Sequence, residues 1–192
     1  ADLSAEIAFE SFEDLAQIRS EARAAGIEGL MLKRNDSPYL AGRVKGHWFK
    51  WKRDALTLDC VLMYAQRGSG KRSSFYSDFT FGVWRSTAEG GRELVPVGKA
   101  YSGFTDAELR DLDRFVRKST VETFGPVRAV TPELVLEVAF DAVQASTRHK
   151  SGVAMRFPRI SRIRWDKPAV DADTIDTILA LTIPSRNVSS QT

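Results

Sequence analysis

The chain has 192 residues, 43% of them hydrophobic and 28% charged, with 13 Gly and 7 Pro. This is enough to bury one good core or two small ones, and it excludes a disordered tail, a collagen-like repeat and a low-complexity linker. A single cysteine, two histidines and no apolar run near the roughly 20 residues that span a bilayer exclude a disulfide framework, a Cys/His zinc cage and a membrane helix.

Ser11 caps a predicted helix over residues 11–25, with Leu15, Ile18 and Ala22 on one face, and Gly26 stops it. Residues 27–33 form an apolar strand and residues 35–38 a turn. Residues 47–53 form a second strand, with Lys50 and Lys52 on one face and Phe49 and Trp51 on the other. These first 54 residues are too few for a domain and read as the end of one. Residues 58–65, 75–84 and 94–101 are three successive strands, separated by loops at residues 68–70 and 90–91. Thr105 and Glu108 form a capping box that opens a helix over residues 105–118, with Leu109, Leu112, Phe115 and Val116 on its apolar face. Strands over residues 134–140 and 153–164 follow, then a closing helix over 171–180 and a polar tail over 184–192 that is expected to fray. Three strands, a helix and two strands match the five-stranded Greek-key barrel called the OB-fold. The expected fold is mainly β with helices: an OB-fold barrel over residues 55–183, preceded by an α/β remnant of another domain over residues 1–54.

The net charge is only +3, but it is unevenly spread. Residues 33–72 carry ten Lys/Arg against Asp36, Asp54 and Asp59, a net +7, and residues 148–167 carry seven against Asp166, a net +6. The rest of the chain is therefore at −10. Two cationic blocks in an otherwise acidic chain suit a polyanion partner, and Trp48, Trp51, Phe157 and Trp165 within them suit contact with nucleic acid.

Three phrases carry chemistry. Residues 28–33, EGLMLK, put the Glu28 carboxylate and the Lys33 amine at opposite ends of an apolar strand. Residues 48–52, WFKWK, put the ammonium groups of Lys50 and Lys52 about 7 Å apart on one strand face, able to hold one phosphate from two sides. Residues 156–167, RFPRISRIRWDK, hold Arg156, Arg159, Arg162 and Arg164 and end in Arg-x-Asp-Lys. Arginine forks match the oxygens of polyphosphates and of a DNA backbone, and Asp166 can orient a neighbouring cation.

In this order and spacing the three phrases resemble the back half of ATP-dependent DNA ligases, members of the covalent nucleotidyltransferase superfamily. EGLMLKR resembles the family's fourth motif, WFKWKRD its fifth and RFPRISRIRWDK its sixth, and the likeness runs from about residue 10 to residue 180. The resemblance implies three steps: a lysine takes AMP from ATP, AMP passes to the 5′-phosphate of a nick, and the 3′-hydroxyl displaces it. It implies that residues 1–54 end an adenylation domain and that Glu28 lies near a catalytic Mg2+. Lys50 and Lys52 then contact the transferred phosphate. Lys33, Arg164, Asp166 and Lys167 bind ATP and its leaving pyrophosphate, and Lys71, Arg72, Arg156, Arg159 and Arg162 contact DNA. Arg53 and Asp54 form the hinge about which the barrel swings.

The family's nucleophile lies in Lys-x-Asp-Gly, and none of the nine lysines here is followed by x-Asp-Gly. The chain is therefore expected to be a C-terminal fragment, unable to adenylylate itself, whose missing N-terminal adenylation region belongs to the same parent. Its expected partners are ATP and nicked duplex DNA, with no membrane, in the cytoplasm and on the nucleoid when bound. The competing readings are an RNA-ligase or capping-enzyme fragment and a stand-alone OB-fold module that binds nucleic acid. His47 and His149 are expected to be surface or hydrogen-bonded residues, and Cys60 to be core.

Overall fold

Helix α1 (Phe12–Glu21) opens on the reciprocal cap that Ser11 offers: Ser11 Oγ accepts the Asp14 N–H at 3.2 Å and Asp14 Oδ2 accepts the Ser11 N–H at 3.0 Å. The structure is a computed structural model that describes residues 5–42 and 44–182. The helix stops four residues earlier than the pattern predicts. Its end tightens, with the Ala22 N–H bonding Arg19 O and the Gly26 N–H bonding Arg23 O, each three residues back. Strands β1 (Gly29–Lys33) and β2 (Trp48–Lys52) form an antiparallel pair. Among the described residues, Leu15, Ala22 and Leu30 are the buried side chains of this part.

The chain divides into two compact units, Ala1–Asp54 and Ala55–Thr192. The second unit is mostly strand: β3 (Leu56–Arg67), β4 (Tyr76–Ser86), β5 (Arg92–Ala100), β6 (Thr120–Phe124), β7 (Val127–Val130), β8 (Val135–Phe140), β9 (Ala142–Ala145), β10 (Val153–Arg156) and β11 (Arg159–Arg164). Helices α2 (Asp106–Ser119) and α3 (Ile175–Ala180) complete it. The main sheet runs β11-β8-β3-β4-β5, and every pairing is antiparallel. It curls until its ends meet, where the Ile160 N–H donates to Ser102 O at 3.0 Å. These five strands are the five expected of the OB-fold. Their inward side chains, among them Leu58, Cys60, Leu62, Phe79, Phe81, Val83, Val97, Leu136, Phe140 and Ile160, form one core with Leu109, Leu112 and Val116 of α2. Each large apolar side chain taken fully out of water contributes roughly 1.5–3 kcal/mol.

The structure corrects the sequence reading in three places. A hairpin, β6–β7, follows α2, and β7 joins the far end of β3. Its strands, TVETF and VRAV, are short, the first largely exposed and the second half-buried along its length, so neither shows the alternation that marks a half-buried strand. The single strand expected over 153–164 is two strands, broken at Phe157 and Pro158. Phe157 has φ 52°, the one non-glycine residue with positive φ among the described residues. β10 pairs with the unpredicted β9, whereas β11 pairs with β8. The closing helix is a 3-10 turn, Ala169–Asp171, followed by the six residues of α3, because backbone bonds divert the segment between them onto the barrel. The Trp84 N–H donates to Asp173 O at 3.0 Å and the Asp173 N–H donates to Asp59 O at 2.9 Å. The tail expected to fray lies outside the described residues. Among the described residues no helix is long and apolar enough to cross a membrane.

Closure leaves no room at Gly103. A Cβ there would come within 2.0 Å of Ile160 O, and φ is +99°. Gly103→Ala is expected to lower the stability of the barrel unit by at least ~2 kcal/mol. Urea unfolding followed by far-UV circular dichroism checks this, and an unchanged midpoint would mean that the closure yields freely.

Candidate functional site

The β1–β2 register decides which side chains of the first unit share a face. Gly29 lies opposite Lys52, Met31 opposite Lys50 and Lys33 opposite Trp48. Lys33, Lys50 and Lys52 therefore stand on one exposed face, and Leu30, Leu32, Phe49 and Trp51 on the other. Lys33 Nζ sits 4.6 Å from the centre of the Trp48 ring, and Trp48 Nε1 donates to Ser37 Oγ at 3.2 Å. Gly29 is the only residue that fits opposite Lys52, since a Cβ at Gly29 would lie 2.3 Å from Trp51 O. Without a side chain there, the backbones of Gly29 and Lys52 approach closely.

Helix α1 fastens the end of β2. Arg19 Nε donates to Lys52 O at 2.6 Å, Arg19 Nη2 to Asp54 Oδ1 at 2.6 Å, and the guanidinium lies 5.4 Å from the centre of the Trp51 ring. Arg23 Nη2 donates to Asp54 O at 2.7 Å and the Arg53 N–H to Glu28 O at 3.0 Å. Residues 53 and 54, the expected hinge, are thus tied to α1 and to the start of β1. The boundary between the two units follows Asp54 directly. Among the described residues no group of three or more His, Cys, Asp or Glu side chains is placed to hold a metal ion. Glu28 can supply one carboxylate to a Mg2+ held mostly by water and substrate phosphates, the usual manner for that ion.

In the second unit the arginines separate into two groups. At the β10–β11 corner, the Arg156 guanidinium lies 5.1 Å from the centre of the exposed Phe157 ring, and Arg159 Nη1 pairs with Asp141 Oδ1 at 3.4 Å. Further along β11 a register shift between Ile160 and Arg162 keeps Ile160 and Ile163 in the core and Arg162 and Arg164 outside. Lys71 and Arg72 lie in the 3-10 turn Gly70–Arg72 between β3 and β4. Arg72 is engaged within the protein, with Nη1 on Tyr101 O at 3.1 Å and its guanidinium over Phe104. Lys71 is exposed.

Arg164 and Lys167 converge on a residue that sequence reasoning missed. Asp59 Oδ2 accepts Lys167 Nζ at 2.7 Å and Arg164 Nη1 at 3.4 Å. Arg164 also forks onto Asp166, Nε to Oδ1 at 3.1 Å and Nη2 to Oδ2 at 3.0 Å. Asp59 sits opposite Glu137 on β8, and Glu137 opposite Arg162 on β11, so these charges line one row of the outer face. The sequence signal was an acid inside an otherwise apolar strand. The Asp166 carboxyl is held down to about 2 by the Arg164 fork, then by backbone hydrogen bonding. The same fork raises the Arg164 guanidinium above its ordinary value.

Residues 1–52 match the family model described as ATP dependent DNA ligase domain, and residues 72–167 the model described as ATP dependent DNA ligase C terminal region. The chain belongs to the ATP-dependent DNA ligase family. It is 46% identical over 167 residues to a probable DNA ligase of Koribacter versatilis, covering 87% of this chain and 28% of that protein. It is 47% identical over 159 residues to one of Mycobacterium marinum, covering 82% of this chain and 30% of that protein. The ligase chain thus spans less than a third of either relative. Among solved structures it is similar to the ligase domain of M. tuberculosis LigD, at 25% identity and TM-score 0.51, over 82% of this chain and 50% of that one. Both matched models describe DNA ligases, not the RNA-ligase or capping branch of the superfamily.

The depressed Asp166 carboxyl makes a pH prediction for this ligase chain. Its folded value lies below the ordinary 3.8, so the Arg164 contact contributes stability fully above about pH 4 and loses it as the pH falls through about 2. An NMR titration of the Asp166 side-chain carboxyl is expected to show a midpoint near 2, and Arg164→Ala to return it toward 3.8.

Proposed function

We propose that this chain works as part of a longer ligase that uses ATP and Mg2+ to seal nicks in duplex DNA, with a nucleophilic lysine in an adenylation region elsewhere in the parent protein. The observation that carries the reading is the shared exposed face of Lys50 and Lys52, with Gly29 opposite Lys52. Two ammonium groups on one strand face hold one phosphate from two sides. Phosphoryl transfer asks the protein mainly for positioning and charge.

In this reading Lys50 and Lys52 hold the phosphate that passes from ATP to the enzyme and then to the DNA end. Lys33, at the other end of β1, reaches the nucleotide, and Glu28 contributes a carboxylate to Mg2+. When bound, that ion supplies further neutralisation of phosphate charge. Arg164 and Lys167 take the oxygens of the departing pyrophosphate, and Asp166 keeps the Arg164 fork oriented. Lys71, Arg156, Arg159 and Arg162 meet the DNA backbone, with Phe157 exposed between Arg156 and Arg159. Arg72, already bonded to Tyr101 O, contributes by holding the turn that presents Lys71. Residues 53 and 54 are the hinge between the units. Such a protein works in the cytoplasm, on the nucleoid when bound.

In the full-length parent, Lys50→Ala and Lys52→Ala are expected to slow both self-adenylylation and sealing of a pre-adenylylated nick, each by about 10²-fold. Arg164→Ala and Lys167→Ala are expected to slow self-adenylylation by a similar factor and to spare the pre-adenylylated nick. Single-turnover assays of the two steps separate these outcomes, and equal losses in both steps from Lys167→Ala would sink the pyrophosphate role. The 192-residue chain alone, given radiolabelled ATP and Mg2+, is expected to form no covalent AMP adduct.

A further inference from the structure

We propose that Asp59 is the internal counter-anion of Arg164 and Lys167: it holds both cations on the barrel, and polyphosphate oxygens take its place when they bind. The inference rests on the reading of Arg164 and Lys167 as the polyphosphate-binding cations. It adds the residue with which the ligand must compete.

Three observations carry it. First, one oxygen, Asp59 Oδ2, accepts from both cations, while Asp59 Oδ1 is buried without a hydrogen-bond partner. Among the described residues the carboxylate is therefore hydrogen-bonded only by the two side chains that the ligand needs. Second, the local charge tally leaves no surplus of cation. Asp59, Glu137, Asp166 and Asp173 stand with Arg162, Arg164 and Lys167 around this face. A polyphosphate laid on that cluster as it stands meets four carboxylates and three cations. It gains only when Arg164 and Lys167 turn from Asp59 to it. Third, Asp59 cannot follow them. Its N–H donates to Asp173 Oδ2 at 2.8 Å and its C=O accepts the Asp173 N–H at 2.9 Å. These bonds fix the Asp59 backbone between β3 and the segment that crosses the barrel. The cations are on long side chains, and Lys167 follows the end of β11 in a turn, so the cations are what moves.

Exchange differs from anchoring in sign. A counter-anion competes with the ligand, so removing its charge tightens binding. An anchor preorganises the cations, so removing its charge weakens binding. Asp59→Asn keeps the shape of the side chain and the backbone bonds to Asp173.

The test is isothermal titration of the 192-residue chain with inorganic tripolyphosphate at low salt, for the unmodified chain, Asp59→Asn, Arg164→Ala and Lys167→Ala. Asp59→Asn is expected to bind roughly tenfold tighter than the unmodified chain, about the size of one charge-assisted contact. Arg164→Ala and Lys167→Ala are expected to bind more weakly. If those two bind as the unmodified chain does, the polyphosphate reading of the two cations fails and the inference goes with it. If they weaken binding while Asp59→Asn leaves it unchanged or weakens it, the reading survives and the counter-anion role is overturned. The unmodified chain gives a second readout that does not depend on a variant folding. Tripolyphosphate is expected to shift the NMR signals of the Lys167 ammonium and the Asp59 side-chain carboxyl together. A Lys167 shift with an unmoved Asp59 carboxyl would overturn the proposal.

Discussion

The second unit depends on the pairing of one twelve-residue strand. β3 bonds to β8 from Leu56 to Val61 and to β7 from Tyr64 to Gln66 along one edge, and to β4 along the other. No other strand among the described residues touches three partners. Its inward residues Leu58, Cys60, Leu62 and Ala65 supply the middle of the core. Its outward Asp59 supplies the anion on which Arg164 and Lys167 meet. A slip of one residue in β3 would send Asp59 into the core and Cys60 to the surface. The register that packs the barrel therefore also positions its charges.

Much of this was legible in the sequence, and the exceptions share a cause. Alternation gave β3, β4, β5 and β8, and capping residues gave α1 and α2, because those signals are local. The hairpin β6–β7 was not legible, since its strands are stabilised by β3, some sixty residues earlier in the chain, and not by their own pattern. The turn at Phe157 was hidden because an aromatic side chain seldom takes positive φ, but Pro158, which has no N–H to give a ladder, was a readable sign that the strand is interrupted there. At the site, the paired lysines were readable as alternate residues of one strand. The partner of Arg164 and Lys167 was not, because Asp59 is more than a hundred positions away in sequence and meets them only through the β3–β8–β11 order.

The two cationic blocks handle their charge in different ways. In the first unit Lys50 and Lys52 lie on a face whose opposite strand offers Met31 and Gly29, neither of which carries charge. In the second unit Arg164 and Lys167 face carboxylates at close range, and Arg159 does the same with Asp141.

Cys60, the chain's one cysteine, has no exposed surface, and burial followed by the charges of Asp173 and Asp59 pushes its thiol well above its ordinary value. A thiol so placed reacts only as the thiolate of an opened molecule. The rate at which an alkylating reagent marks this protein is therefore a clock for the parting of β3 from its neighbours, readable without any added label.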